Sequence, residues 1–248
     1  MVKSMLAENT VVSDLFAAVV CCGVQLMILL FCDESFKRGL DMKLVRKFGH
    51  ISFGLGFMLC WPLFSSGNQG LILAATISSL NIIILLIRVR QMMSEDEASM
   101  SRIADRREFI GCNKFYYAAI YYASANTLAC LLYWRTSPIA VAAICNLSAG
   151  DGIAGIVGRR FGRQKLPYNP NKSIVGSVAM ATAGFISSVG FMHYFANFGY
   201  IQGSLEMVLG FLVVSVASAL VESLPLVPQL DDNLTVPLTS MFVGTIVF

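Results

Sequence analysis

Long apolar stretches alternate along this chain with short polar ones. Residues 15–32, 48–87, 115–134 and 173–205 contain no Asp, Glu, Lys or Arg. A helix needs about 20 apolar residues to cross a bilayer, so each stretch is long enough for a crossing. The 48–87 stretch is too long for one, and Ser65-Ser66-Gly67-Asn68-Gln69-Gly70 divides it in two. The pattern predicts helical spans over about 15–32, 48–64, 71–87, 115–134, 138–150, 173–195, 205–224 and 236–248. The fifth and eighth are short, and either could be re-entrant or packed inside the bundle instead of facing lipid. The expected fold is all-α: a polytopic membrane bundle of seven to eight spans. A single domain over 1–248, with an N-terminal tail over 1–14, accommodates it.

Composition supports the membrane reading. The chain is 56% hydrophobic and 13% charged, whereas soluble domains carry roughly 25% charged residues. Charge placement says more than the net value of +3. Threading the spans alternately puts loops 33–47, 88–114, 151–172 and 225–235 on one face. That face carries sixteen of the eighteen Lys and Arg residues, and only Lys3 and Arg135 fall opposite. Such asymmetry is what the positive-inside rule expects. Polar motif loops then open on one side, whereas a transporter would place its key polar residues near the midplane. None of the seven cysteines forms a CxxC pair, and six lie in apolar segments, as core or lipid-facing residues do. The 88–114 segment mixes eleven charges of both signs in twenty-seven residues. It reads as a solvated helix-loop, within which Arg102, Arg106 and Arg107 are also available to phosphate. The N-terminus shows no obvious cleavable signal or transit peptide.

The segment 151–172 is glycine-rich and basic, with one acid, Asp151, against Arg159, Arg160, Arg163, Lys165 and Lys172. Glycines admit close backbone approach, and lysine and arginine favour phosphate oxygens. A lone carboxylate in such a loop suits Mg²⁺ on a nucleotide, or else simply marks the membrane boundary. The expectation is a nucleotide-phosphate loop over 151–172. Lys172-Ser173 opens the sixth span just after Pro170, where backbone N–H groups and the helix dipole bind phosphate. The alternative for Lys172 is a snorkelling interface lysine. The chain has no Gly-x-x-x-x-Gly-Lys-Ser/Thr, which excludes a soluble P-loop enzyme.

Juxtamembrane carboxylates are costly and mark function by default. Glu222 ends an apolar helix, and Asp231-Asp232-Asn233 follow the Pro225/Pro228 turn. Adjacent aspartates share Mg²⁺ or act as base toward a hydroxyl, or one of them caps a helix. Nothing basic follows Lys172, which leaves these acids to a metal or to the 151–172 segment. His50, beside Arg46 and Lys47, either binds phosphate or a carboxylate or is a plain interface histidine. Tyr116, Tyr117, Tyr121 and Tyr122 suit a lipid interface first and an isoprenoid groove second.

Together these residues resemble the phytol kinase and farnesol kinase family of plants and cyanobacteria, which is related to CTP-using dolichol kinases. The matching motifs are Gly150-Asp151-Gly152, Ile156-Val157-Gly158-Arg159-Arg160-Phe161-Gly162, Lys165-Leu166-Pro167-Tyr168-Asn169 and Asn171-Lys172-Ser173. Arg46-Lys47-x-x-His50, Met58 through Gly67, Glu222-Ser223-Leu224-Pro225 and Asp231 through Thr235 match elsewhere. The resemblance runs from about residue 8 to the end. It implies transfer of a nucleotide γ-phosphate, typically from CTP, to an isoprenoid alcohol such as farnesol, geranylgeraniol or phytol at a bilayer. Mg²⁺ is the expected cofactor, and no nucleic acid partner is expected. Oligomeric state leaves no mark on the sequence. On this reading Asp151, Glu222, Asp231 and Asp232 are catalytic, and Asp151, Asp231 and Asp232 hold the metal. Arg46, His50, Asn146, Gly152, Arg159, Arg160, Lys172 and Ser173 form the nucleotide-binding set. The implied location is a multi-pass position in a chloroplast membrane, with the endoplasmic reticulum as alternative.

One position departs from the family pattern. Where the family reads Gly-Asp-Gly-x-Ala-Asp, this chain has Gly155. Loss of a metal-ligand carboxylate keeps a non-catalytic paralogue among the readings. The others are a small-molecule membrane transporter and a CTP-dependent lipid cytidylyltransferase.

Overall fold

A computed structural model describes residues 10–80, 83, 103–225 and 231–248. They form a helical bundle. In chain order its elements are α1 (Thr10–Lys37), α2 (Met42–Cys60), a 3₁₀ turn (Trp61–Leu63) and α3 over 68–80. Then come α4 (Ile103–Tyr133), α5 (Pro138–Cys145), a π turn (Asn146–Gly150) and α6 (Asp151–Phe161). A small antiparallel hairpin, β1 (Lys165–Leu166) and β2 (Asn169–Ser173), leads into α7 (Ile174–Asn197), α8 (Leu205–Ser223) and α9 (Asp232–Val247).

Local chemistry sets the helix ends. Asp41, Ser137, Ser173, Ser204 and Asp231 each cap the following helix, their side-chain oxygens accepting a backbone N–H from the first turn. Pro138 occupies the first turn of α5, where its missing N–H costs nothing. Gly199, at φ 74°, turns the chain out of α7 in a left-handed conformation that suits glycine.

Among the described residues, four helical stretches are long and apolar enough to cross a membrane: Thr10–Lys37, Pro138–Phe161, Ile174–Asn197 and Leu205–Ser223. At 1.5 Å per residue, the 24 residues of α7 reach roughly 36 Å, past a hydrocarbon core of about 30 Å. The stretch Pro138–Phe161 is mostly buried inside the protein, whereas α1 exposes most of its surface. The short fifth span is thus the bundle's core, packed inside as one of its two expected forms.

Two expectations about polar segments change. The supposed loop over 151–172 is helical from Asp151 to Phe161, and its remainder holds the hairpin. Its glycines serve packing. A Cβ at Gly152 would lie 2.3 Å from Ile51 Cγ1 of α2, and one at Gly158 would lie 3.5 Å from the Gly176 Cα of α7. Residues 10–14 of the expected N-terminal tail are also helical, as part of α1. Residues 84–102, most of the charged segment over 88–114, lie outside the described residues, and 103–114 open α4.

At one end of the bundle a buried cation ties the loop after α2 in place. Arg135 is 1% exposed and donates to Trp61 O at 2.7 Å, Phe64 O at 2.6 Å and Ser65 O at 2.9 Å. Its guanidinium also lies 4.1 Å from the Tyr200 ring centroid. Asp14 of α1, fully buried, accepts from Ser65 N and Oγ. Candidate chemistry gathers at the other end.

Candidate active site

The π turn Asn146–Gly150 places the site's central acid. A π turn loosens the regular ladder and is frequent at functional positions. Here the carbonyl of Leu147 lies 2.9 Å from His50 Nε2, and Asp151 follows directly as the first residue of α6. His50 Nε2 also lies 3.2 Å from Asp151 Oδ2. Both neighbours are acceptors, so this ring nitrogen carries a hydrogen. Tyr122 of α4 fixes the same corner, donating to the His50 carbonyl at 2.6 Å and sharing a 2.9 Å hydrogen bond with Ser148. Its ring lies 4.2 Å from that of His50.

Lys47, one turn before His50 on α2, donates to Asp151 Oδ2 at 2.6 Å and to the Asp151 carbonyl at 3.2 Å. From the other side, Lys172 at the end of β2 pairs with Glu222 of α8 and, at 2.7 Å, with Asp232 Oδ2 at the start of α9. Each of Asp151, Glu222 and Asp232 presents a carboxylate oxygen within 4.8 Å of the other two. Five elements, α2, α6, β2, α8 and α9, thus converge on one point with three acids and two ammonium groups.

This donor set fits a hard dication. Oxygen ligands and a partly solvated position are what Mg²⁺ takes, since it keeps several waters. Glu222 and Asp151 are buried, and Asp232 is partly exposed. Burial works against the charge of Lys172, yet Asp232 and Glu222 outweigh it and hold the ammonium above the ordinary lysine value. Burial pushes the Asp232 carboxyl above the usual aspartate range against the pull of Lys172, and Asp151 and Asp231 add to the push.

Several expected site residues stand elsewhere. Asp231 caps α9, its Oδ1 accepting from Asn233 N at 2.9 Å and Asn233 Nδ2 at 2.6 Å, and it is not one of the three clustered acids. Glu222 stands there with Asp151 and Asp232. Asn146 is fully buried in the bundle and donates to Ser240 Oγ at 3.2 Å. Gly152 gives α2 its close approach to α6. Ser173 is occupied as the N-cap of α7, accepting from Gly176 N at 3.2 Å. Arg46 is exposed on α2 beside Lys47. Arg159 lies eight residues beyond Asp151 on α6 and donates to Lys43 O at 3.2 Å, while Arg160 lies against Phe161.

The expected set omitted two participants, Lys47 and Tyr122. Lys47 had a signal in the sequence, because positions 47 and 50 share one face of a helix. Tyr122 had none beyond its aromatic neighbours.

Comparison with curated proteins finds relatives over almost the whole chain. It is 53% identical to a chloroplastic farnesol kinase of Arabidopsis thaliana, over 98% of this chain and 78% of that protein. The chain belongs to the farnesol kinase and phytol kinase family. A probable chloroplastic phytol kinase 3 of Glycine max is 52% identical over 99% of this chain and 76% of its own length. A probable chloroplastic phytol kinase 2 of Oryza sativa subsp. japonica is 54% identical over 95% and 76%. No protein-family model matches the chain, and no solved structure matches it. The residues that carried the likeness to this family in the sequence include Asp151, Lys172, Glu222 and Asp232, all four of which meet in the site. Where the family pattern has a second aspartate, Gly155 leaves space that the Lys47 side chain crosses.

Proposed function

We propose that the chain is a membrane kinase that transfers the γ-phosphoryl group of CTP to an isoprenoid alcohol such as farnesol, geranylgeraniol or phytol. The observation that carries this reading is the convergence of Asp151, Glu222 and Asp232 with Lys47 and Lys172. Phosphoryl transfer needs positioning and charge stabilisation more than covalent chemistry from the protein. The relatives' names supply the acceptor class, and the likeness to CTP-using kinases supplies the donor.

Asp151, Glu222 and Asp232 would hold Mg²⁺, which supplies charge neutralisation on the transferring phosphoryl oxygens. Lys172 counters phosphate charge from the β2 side of the cluster. The alcohol oxygen bonds to the γ-phosphorus as the bond to the β-phosphate oxygen breaks, and CDP leaves. Asp232, the partly exposed acid, accepts the hydroxyl proton. His50, donating to Leu147 O and Asp151, holds the Asp151 carboxylate in place.

The same reading has the chain crossing a chloroplast membrane seven to eight times, its basic loops on one face. Helices α2, α3, α4 and α9 then supply the crossings beyond Thr10–Lys37, Pro138–Phe161, Ile174–Asn197 and Leu205–Ser223. The product analysis that tests the function uses γ-labelled CTP with farnesol and Mg²⁺. Labelled farnesyl monophosphate and CDP are expected. Pyrophosphate release would identify a cytidylyltransferase instead, and uptake without nucleotide consumption a transporter.

A further inference from the structure

We infer that Lys47 binds the terminal phosphate of the nucleotide, and that the phosphate chain runs outward from there along the seam between α2 and α6. This rests on the kinase reading above and goes beyond it by fixing a residue and a direction. Lys47 reaches the carboxylates across Gly155, where an added Cβ would lie 2.6 Å from its Cε and 3.2 Å from its Nζ. The side chain is 13% exposed, and its ammonium ends on Asp151. It faces the cluster from α2, opposite Lys172, which holds the other two acids. A lysine ammonium is a compact charge on a flexible stem, able to turn from a carboxylate to a phosphate oxygen without moving the backbone.

The seam beyond Lys47 is cationic. Asp151, Gly155 and Arg159 lie four residues apart on α6, and so on one face of it. Lys43 and Lys47 line the facing side of α2, with Arg159 bound to the Lys43 carbonyl. From Asp151 to Arg159 the helix rises roughly 12 Å. The three acids thus sit at the inner end of a row of cations that opens at the exposed Arg159. A nucleoside triphosphate fits this polarity with its γ-phosphate inward and its nucleoside outward. Gly155 lets the Lys47 stem lie close against α6, and a side chain there would displace that stem.

The test measures binding of CTP, CDP and CMP to the full chain in lipid nanodiscs with Mg²⁺ and no alcohol. Lys47→Met is expected to weaken CTP by about ten- to a hundredfold, the size of a lost charge-assisted hydrogen bond. Its effect on CMP, which lacks the terminal phosphates, should be under about twofold, and Lys47→Arg should recover part of the CTP affinity. Gly155→Leu keeps the lysine but displaces its stem, so it should show the same CTP-selective loss if Lys47→Met does not fold. Equal losses for CTP and CMP, or none, with a wild type that binds CTP, would overturn the Lys47 assignment alone. A wild type that binds none of the three nucleotides would remove the kinase reading and this assignment with it.

Discussion

At the scale of single residues, the site is a problem of keeping charge where burial opposes it. Lys172 and Asp232 both titrate above their ordinary values, for opposite reasons: the acids hold the lysine proton, and burial holds the aspartate proton. The folded chain binds each proton more tightly than the unfolded one does. For Lys172 the stabilising contribution is therefore present below the ordinary lysine value of about 10.4 and is lost only as pH rises through its raised pKa. For Asp232 the contribution is present below the ordinary aspartate value of about 3.9 and lost as pH rises through its raised one. Metal binding needs the ionised carboxylate and so runs the other way. Mg²⁺ affinity, followed by calorimetry, should decline on acidification with a midpoint above about 3.9. Lys172→Met removes the nearest cation, so that midpoint should move to higher pH; a midpoint that stays put would contradict the pairing. The sequence already pointed to Lys172, Glu222 and Asp232, because costly acids near a membrane with no base after Lys172 need a partner. It did not separate Asp231 from Asp232. Adjacent residues on a helix point about 100° apart, and which one meets the cluster depends on how α9 is rotated in the bundle.

At the scale of elements, the apolar stretches were legible and the glycines were not. Runs without charge located most of the described helices, α6 excepted, since burying backbone in lipid leaves few other structures. The segment 151–172 looked like a loop because glycine and charge cluster there. In the bundle the same glycines let α6 press against α2 and α7, a use that only tertiary contact reveals. Gly152→Leu should therefore destabilise the protein by about 1–3 kcal/mol through overpacking against Ile51. Thermal unfolding in detergent measures it, and an unchanged melting temperature would mean that α2 and α6 do not meet there. Gly155 is different in kind, since its neighbour is the flexible stem of Lys47. Gly155→Asp should fold with little loss of stability but should draw the ammonium toward the new carboxylate. Lower CTP affinity at similar melting temperature is the expected outcome, and higher CTP affinity would show that the position wants an acid.

Across the whole molecule, the two ends of the bundle are chemically distinct. One end gathers three acids and two lysines, and the other is closed by Arg135 and Asp14 on the loop after α2. From Lys47 to Trp61, α2 and the turn that follows separate these ends by roughly 20 Å. Arg135→Met should cost about 3 kcal/mol, since it strips a buried donor from three carbonyls. Kinase activity per folded molecule should survive it, and a selective loss of activity would place Arg135 in the chemistry. The one-sided placement of lysine and arginine made a single active face possible, and in the structure Lys47, Asp151, Lys172, Glu222 and Asp232 gather at one end. What the sequence left open was which acids share that end's centre. The most direct measurement compares CTP-dependent phosphorylation of farnesol by the native chain, Asp151→Asn, Glu222→Gln, Asp232→Asn and Asp231→Asn. Loss of at least about a hundredfold is expected for each of the first three variants, as for removal of a metal-holding group. Asp231→Asn, which keeps a good helix cap, should remain within about threefold of the native chain. Activity in Glu222→Gln with silence in Asp231→Asn would contradict the account.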